Sequence, residues 1–190
     1  MRRPSMRTKG SLCLTLGVLV AVWGLFAPSA LAYHLEGLTW ANQPPSGQCC
    51  ANLAVQYSGI HYGSDYAVWD NGLNAWTDDP AALISFYVAS SGNIHLYDTS
   101  DSSVSWDGIT YENDFLGHFL ATQSYLNYYY VKNDSAGEAQ GIATHELGHV
   151  AGLAHTNGCV IMTPTTYTRW GQCGIDTPQQ DDANGINAMY

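Results

Sequence analysis

The segment that most constrains the fold of this chain is residues 145–155, which read HELGHVAGLAH. On an α-helix, His145 and His149 are four residues apart and therefore project from the same face, one turn apart. Gly152 follows three residues later, where the helix must end and the chain must turn. Glycine tolerates the positive φ that such a turn requires. The segment predicts a helix that ends in a sharp turn and brings His155 back beside the first two histidines.

Three histidines gathered in this way have the chemistry of zinc ligands. Two imidazoles at this spacing can reach one metal ion at about 2.0–2.1 Å. Three neutral nitrogen ligands leave one tetrahedral position open, which is typical of a catalytic zinc rather than a closed structural one. Glu146 adjoins the first ligand and can take a proton from a water in the open position. We therefore predict one catalytic zinc ion held by His145, His149 and His155, with Glu146 as the catalytic residue.

The motif lies on a helix whose start is also visible in the sequence. Ser135 and Glu138 fit a capping box, which predicts a helix from about Ala136 to Ala151. Apolar periodicity and turn residues predict the other elements. These are strands over residues 53–57, 83–89, 94–97, 104–111 and 119–131, a helix capped by Ser64 or Asp65, and a last helix capped by Thr177 with Pro178 at its first position.

The first 32 residues have the order of an export signal. Four basic residues come first, namely Arg2, Arg3, Arg7 and Lys9. An apolar run over residues 11–27 follows, and small residues over 28–32 provide a cleavage site after Ala32. The run is shorter than the roughly 20 apolar residues of a membrane-spanning helix, so we favour a cleaved signal peptide over an uncleaved anchor. We predict a secreted, extracellular protein in which residues 33–190 form one domain.

Removal of residues 1–32 leaves a strongly acidic domain. All 16 acidic residues lie in 33–190, whereas only Lys132 and Arg169 remain of the six basic ones, so the formal net charge is −14. An acidic domain without basic clusters is a poor candidate for binding nucleic acid or anionic membranes. We expect no nucleic-acid partner, no stable membrane association after signal cleavage, and a monomer.

The same domain keeps four cysteines, which are Cys49, Cys50, Cys159 and Cys173. An even number in an oxidising compartment predicts two disulfides, for which three connectivities exist. A bond between the neighbours Cys49 and Cys50 would close a strained ring. Pairing across the chain and pairing of Cys159 with Cys173 are both open.

Residues 145–155 resemble the zinc signature HExxHxxGxxH of the metzincin metallopeptidases, whose second mark is a methionine turn below the metal. Met162 lies seven residues after His155, where that turn would fall. Pro164, two residues beyond the methionine, resembles the matrixin branch of the metzincins. Residues 179–190 are similar to the closing helix of matrixin catalytic domains.

This resemblance implies an α+β fold. A twisted mixed β-sheet would carry two long helices, one of them the zinc helix, with the Met-turn and a C-terminal helix below. A substrate peptide would lie extended along an edge strand by β-augmentation, for which we select residues 123–130. Residues 163–174 would wall the S1′ pocket, and a bridge between Cys159 and Cys173 would stiffen that wall. The candidate wall residues are Pro164, Thr165, Thr166 and Tyr167.

One zinc ion is the cofactor that the sequence supports. An acidic loop with Asp98, Asp101 and Asp107 could hold calcium, but it lacks the ligand spacing of an EF-hand loop, and we interpret it as a solvated loop. The His-x-Asp pattern of the matrixin structural zinc and the family's cysteine switch are both missing from the sequence.

The resemblance implies a secreted zinc-dependent endopeptidase that acts on protein or peptide substrates. Two other functions remain open. The first is a secreted zinc-binding module that recognises protein without cleaving it. The second is a zinc amidohydrolase that acts on non-protein amides, because the motif determines the reaction type better than the substrate.

Overall fold

The computed structural model describes residues 33–41, 43–44, 46 and 50–190. The predicted signal segment 1–32 and Cys49 lie outside the described residues, so the cleavage site and the pairing of Cys49 remain predictions. Within the described part of the chain, no helix combines the length and the apolar character that crossing a membrane requires.

The described elements up to Asn127 are strands apart from one helix, and those after it are mostly helical. They are β1 (His34–Leu35), β2 (Thr39–Trp40), β3 (Ala51–Gly59), α1 (Gly63–Thr77), β4 (Ile84–Val88), β5 (Ile94–Thr99), β6 (Gly108–Phe115), β7 (His118–Asn127), α2 (Tyr128–Val131), α3 (Ala136–Ala151), β8 (Leu153–Ala154), a π-helix (Tyr167–Gln172) and α4 (Gln180–Met189).

The main sheet is mixed and has the strand order β2-β7-β5-β3-β4, with β6 paired to β7. The pairs along this order are parallel, whereas β6 runs antiparallel to β7. Strand β3 alternates buried and more exposed residues, with Ala51, Leu53 and Val55 facing the core, as expected for a strand that packs on helices. The predicted α+β class with a mixed sheet is confirmed.

Two long helices, α1 and α3, pack against each other in the core. Trp69 and Trp76 of α1 are fully buried, and the indole N–H of Trp76 donates to the carbonyl of Thr144 at 2.8 Å. The helices approach closely at Gly72, where an added Cβ would lie 2.8 Å from the Cβ of Ala143. Helix α3, which carries the zinc motif, therefore packs closely against α1 in the core rather than lying exposed on the surface.

The start of α1 differs from the sequence prediction, because neither Ser64 nor Asp65 is its cap. Tyr62 occupies the N-cap position, and its side chain makes no capping hydrogen bond. The carboxylate of Asp98, on β5, accepts from the backbone N–H groups of His61 at 2.7 Å and Tyr62 at 2.8 Å. A tertiary contact thus determines how the chain enters the helix.

The strand predicted over residues 119–131 is wrong at its end. Strand β7 stops at Asn127, and the tyrosine-rich segment that follows is the short helix α2. The side chain of Asn127 accepts from the backbone N–H of Tyr129 at 3.2 Å and donates to the carbonyls of Asp101 and Trp106. This cap outweighs the β-propensity of the tyrosines.

The strand predicted over residues 104–111 forms further along the chain, as β6. Its turn to β7 passes through Leu116 and Gly117, which have φ of 52° and 80°.

The prediction that residues 123–130 are the substrate edge is wrong, because β7 pairs with β5 on one side and with β6 on the other. Within the described residues, β6 is the outer strand on this side of the sheet.

The last helix also begins later than predicted. Gln179 is the N-cap of α4, rather than Thr177 with Pro178 in the first position. The Gln179 side chain accepts from the backbone of Asp182, and the Asp182 carboxylate accepts from the Gln179 N–H at 2.7 Å. Two capping patterns overlap in this sequence. The observed one uses the Asp182 carboxylate, which also accepts hydrogen bonds from the backbone of Ile161 and Met162 below α3.

Candidate metal centre

Helix α3 confirms the predicted bounds Ala136–Ala151 and carries two of the three motif histidines. Its first turn is capped by Ser135, whose hydroxyl oxygen accepts from the backbone N–H of Glu138 at 3.3 Å. After the helix, Gly152 has φ of 103°, and an added Cβ would lie 2.6 Å from the carbonyl oxygen of Leu38. Glycine is required here for both its conformation and its size.

The turn at the end of α3 brings the three motif histidines together. The Nε2 of His155 lies 3.1 Å from the Nε2 of His145 and 3.1 Å from the Nε2 of His149. Nitrogens bound to one tetrahedral zinc ion at about 2.0–2.1 Å would lie about 3.4 Å apart. His145 is buried whereas His155 is exposed, so this cluster opens to solvent on one side.

The other ring nitrogen of two of these histidines is hydrogen-bonded. The Nδ1–H of His145 donates to the carbonyl of Ile161 at 2.8 Å, and that of His149 donates to the carbonyl of Leu153 at 2.8 Å. Such bonds fix the tautomer that leaves Nε2 free to bind a metal. Burial also lowers the pKa of His145 well below its ordinary value, which favours the neutral, metal-binding form.

This donor set fits a catalytic zinc ion. The three imidazoles form one group that could hold a metal, and no fourth side-chain ligand joins them among the described residues. Three nitrogen ligands with an open position are the arrangement of catalytic zinc sites, whereas structural sites are closed by a fourth protein ligand.

Glu146 lies beside this cluster and is almost completely buried. Its Oε2 accepts from the hydroxyl of Thr110 on β6 at 2.7 Å. Gly108, on the same strand, makes room for the other carboxylate oxygen, since an added Cβ would lie 2.7 Å from Oε1. Burial raises the pKa of the Glu146 carboxyl to about 7, which is the range in which a carboxyl can both accept and release a proton.

Met162 lies directly below α3 and is fully buried. Its sulfur contacts the helix at Gly148, where an added Cβ would overlap the sulfur atom. The Asp182 carboxylate holds this turn from α4 by accepting from the backbone N–H groups of Ile161 at 2.9 Å and Met162 at 3.2 Å. The methionine therefore lies where the resemblance to metzincins implied a Met-turn.

A cavity of about 890 Å³ contains the cluster and Glu146. It extends along β6 on one side and along the segment after Met162 on the other. Its lining residues include Glu36, Trp106, Asp107, Gly108, Ile109, Thr110, Tyr111, Glu112, His145, Glu146, His149, His155, Pro164, Thr165, Thr166 and Arg169.

Only some of the four candidate S1′ wall residues line the cavity. Pro164, Thr165 and Thr166 line the cavity beside the histidine cluster. Tyr167 begins the π-helix, is 74% exposed and is not among the lining residues. The structure therefore places three of the four candidates where a substrate side chain could contact them.

The wall is held from behind by Arg169, whose side chain is almost fully buried. Its guanidinium donates to the carbonyl of Thr163 at 2.9 Å and to the hydroxyl of Thr166 at 2.8 Å. The Thr166 hydroxyl in turn donates to the carboxylate of Asp107, across the cavity. This chain of hydrogen bonds joins the two sides of the cavity.

A disulfide between Cys159 and Cys173 brackets the same segment. It selects one of the pairings that the cysteine count left open. The loop that it closes contains the Met-turn and the cavity wall, and its sequence separation is 14 residues.

Sequence reasoning did not identify several residues that contact this centre. Thr110 and Glu36, which contact Glu146 and His149, are 36 and 113 residues away from them in sequence, so no local pattern could have predicted either contact. The sequence did single out Arg169, because it is one of only two basic residues in 33–190.

Comparisons with known proteins agree with this geometry. The family model described as Matrixin (Peptidase M10) matches residues 60–190. No curated protein matches the chain.

Solved structures that resemble the chain have low sequence identity to it. The hatching enzyme zinc-protease high choriolytic enzyme 1 from the medaka fish Oryzias latipes is 16% identical, with a TM-score of 0.36, over 62% of this chain and 50% of that one. Two structures of myroilysin are 16% and 18% identical, with TM-scores of 0.37 and 0.38. They cover 67% and 78% of this chain and 57% and 71% of theirs. The chain thus spans half the length of the hatching enzyme and little more than half of one myroilysin structure.

These structural likenesses are too weak to add to the argument, so the assignment rests on the family model, which covers well over half of the chain. The chain belongs to the matrixin family of zinc metallopeptidases.

Proposed function

We propose that this protein is a secreted, zinc-dependent endopeptidase. The observation that carries the proposal is that the Nε2 atoms of His145 and His149 each lie 3.1 Å from the Nε2 of His155, beside a buried carboxyl group and in one open cavity. His145, His149 and His155 are the zinc ligands in this proposal, and Glu146 is the catalytic residue. Secretion is supported by the sequence of residues 1–32.

The chemistry divides between the metal and Glu146. A bound zinc ion supplies a Lewis acid that polarises the scissile carbonyl and lowers the pKa of the attacking water. Glu146 accepts a proton from this water while the water oxygen bonds to the carbonyl carbon. It then donates the proton to the leaving nitrogen as the C–N bond breaks. A carboxyl with a pKa near 7 suits both proton transfers.

Strand β6 is our candidate for the substrate-binding edge. It pairs with β7 on one side only among the described residues, so its other side can accept an extended peptide by β-augmentation. Its residues Gly108 to Glu112 line the cavity, which would place the peptide alongside the histidine cluster. Strand β6 takes the role that sequence reasoning gave to residues 123–130.

On the other side of the cluster, we assign the S1′ wall to Pro164, Thr165 and Thr166. These residues line the cavity and are held by Arg169 and by the Cys159–Cys173 disulfide. A wall fixed in this way would give the pocket a defined shape, which is a condition for side-chain selectivity.

The test is incubation of the secreted protein with a panel of unfolded proteins, with and without a zinc chelator. We expect internal cleavage that the chelator abolishes and added zinc restores. Zinc binding without cleavage of any protein would contradict the proposal and favour a recognition module. Cleavage confined to non-protein amides would contradict it in favour of an amidohydrolase.

A further inference from the structure

The first described residues of the chain lie against the turn that carries His155, the third histidine of the motif. Strand β1 pairs antiparallel with β8, and the register aligns His34 with Ala154 and Leu35 with Leu153. Strand β8 consists of the two residues between Gly152 and His155. The only strand partner of this turn among the described residues therefore comes from a segment more than 100 residues earlier in sequence.

Contacts on both sides of β8 extend this pairing. The backbone N–H of Glu36 donates to the carbonyl of Gly152 at 3.0 Å. At the other end, the Nδ1 of His34 lies 3.1 Å from the carbonyl oxygen of His155 and donates to it. The segment thus binds the backbone at the first and last residues of the turn, and it restricts where the His155 side chain can lie.

The side chain of Glu36 makes a separate contact with the cluster itself. Its Oε1 lies 3.0 Å from the Nδ1 of His149, the nitrogen that also donates to the carbonyl of Leu153. The glutamate side chain is 23% exposed and the histidine side chain is 13% exposed. A carboxylate that accepts from the Nδ1–H of a metal-binding histidine fixes the tautomer and ring orientation and makes Nε2 a better ligand.

We propose that the segment His34–Glu36 is part of the metal centre. Glu36 is a positioning residue for His149, and the pairing of β1 with β8 holds the turn that carries His155. The zinc affinity of the protein therefore depends on this segment. The inference rests on the zinc-binding half of the proposed function and is independent of peptide hydrolysis.

Two effects support this dependence. The first is electrostatic, because the Glu36 carboxylate increases the basicity of His149 through a charged hydrogen bond. The second is entropic, because a turn already held at Gly152 and His155 loses less conformational freedom when the third ligand binds the metal. Without Glu36, the carbonyl of Leu153 would remain as the partner of His149 Nδ1, so we expect zinc binding to weaken but not to vanish.

Asp114 provides a control for negative charge, since it is an exposed residue of β6 close enough to Glu112, the neighbour of Glu36, to act on it through its charge. It is not among the residues that line the cavity. Replacement of Asp114 by Asn removes one negative charge from the same region but leaves the Glu36–His149 bond and Glu112 in place. The comparison separates this bond from a general loss of negative charge.

The experiment measures the zinc dissociation constant of the full secreted protein by competition with a chromogenic chelator. We expect Glu36→Ala to bind zinc about 10–100-fold more weakly than the wild type. Glu36→Gln should lose less, because its amide oxygen can still accept from His149, and Asp114→Asn should change the affinity less than threefold. Far-UV circular dichroism of the zinc-free proteins checks that each variant is folded.

Equal zinc affinity of the wild type and a folded Glu36→Ala would overturn this inference alone. An equal loss in Glu36→Ala and Asp114→Asn would also overturn it, because the effect would then be one of net charge. A protein whose zinc affinity depends on Glu36, but which cleaves no peptide, would support the inference and contradict the proposed function. A wild type that binds no zinc would overturn both.

Discussion

The hydroxyl of Thr110 on β6 lies 2.7 Å from Oε2 of Glu146 on α3 and donates a hydrogen bond to it. The same hydroxyl lies 2.9 Å from the hydroxyl of Ser124 on β7, so the sheet and α3 are joined at the carboxyl to which we assign the catalytic role. Glu146 therefore has a fixed position before any substrate binds. Preorganised groups of this kind contribute to catalysis because they need no rearrangement in the transition state.

Removal of this hydroxyl should slow the chemical step. We expect Thr110→Val to lower kcat about 10–100-fold with little change in KM, because a hydrogen bond to a charged group contributes about 1.5–3 kcal/mol. Thr110→Ser keeps the hydroxyl and should retain most of the activity. Steady-state kinetics of both variants, with zinc content measured in parallel, test this expectation. Wild-type kcat in Thr110→Val would show that Glu146 does not need this partner.

The close packing of Met162 under α3 gives a second prediction. Gly148→Ala introduces a Cβ that overlaps the Met162 sulfur, and overpacking of a buried site costs about 1–3 kcal/mol. We expect a lower free energy of unfolding in urea and weaker zinc retention, because the strain lies between the first two histidines of the motif.

Gly63, at the first position of α1, is the matched control for this substitution. An added Cβ there meets no atom within 4 Å, so Gly63→Ala should leave stability unchanged or raise it slightly. If the two alanine variants unfold at the same urea concentration, the packing of Met162 against α3 does not constrain the helix.

The buried carboxyl of Asp65 predicts an unusual dependence of stability on pH. Its Oδ2 has no hydrogen-bond partner among the residues that the structure describes, and burial raises its pKa from 3.8 to about 6. Because the folded protein holds this proton more tightly than the unfolded chain, the carboxyl destabilises the fold increasingly as the pH rises from about 4 to about 6. We expect Asp65→Asn to raise the free energy of unfolding by about 1–2 kcal/mol at pH 8 and to change little at pH 4.

Urea unfolding of the zinc-free protein at pH 4 and pH 8 measures this effect without a contribution from the metal. Asp114→Asn removes an exposed carboxyl from β6 and should change stability little at either pH. A gain for Asp65→Asn that is as large at pH 4 as at pH 8 would exclude titration of this carboxyl as the cause.

The part of the site that the sequence predicted is the part that local geometry determines. Helix α3, the left-handed conformation of Gly152 and the gathering of three histidines all follow from spacing within residues 135–155. The position of Met162 followed from the resemblance to a known family. In each case the interacting residues are close in sequence, so their spacing determines their geometry.

The parts that the sequence did not predict depend on contacts between distant segments. The tyrosines after Asn127 were expected to extend a strand, but a side-chain cap and two backbone carbonyls from a distant loop end it. The role of β6 as the edge strand depends on which strands pair, and pairing is decided by the whole sheet. Glu36 is the extreme case, since it reaches His149 across 113 residues.

The most direct test of the account is the combined zinc content and hydrolytic activity of Glu146→Gln. Glutamine preserves the size of the side chain but cannot accept the proton from the attacking water. We predict one zinc ion per chain, as in the wild type, and a loss of kcat of about 10²–10⁴-fold, the range that general acid–base catalysis supplies. Wild-type hydrolysis of peptide bonds by zinc-replete Glu146→Gln would contradict the mechanism.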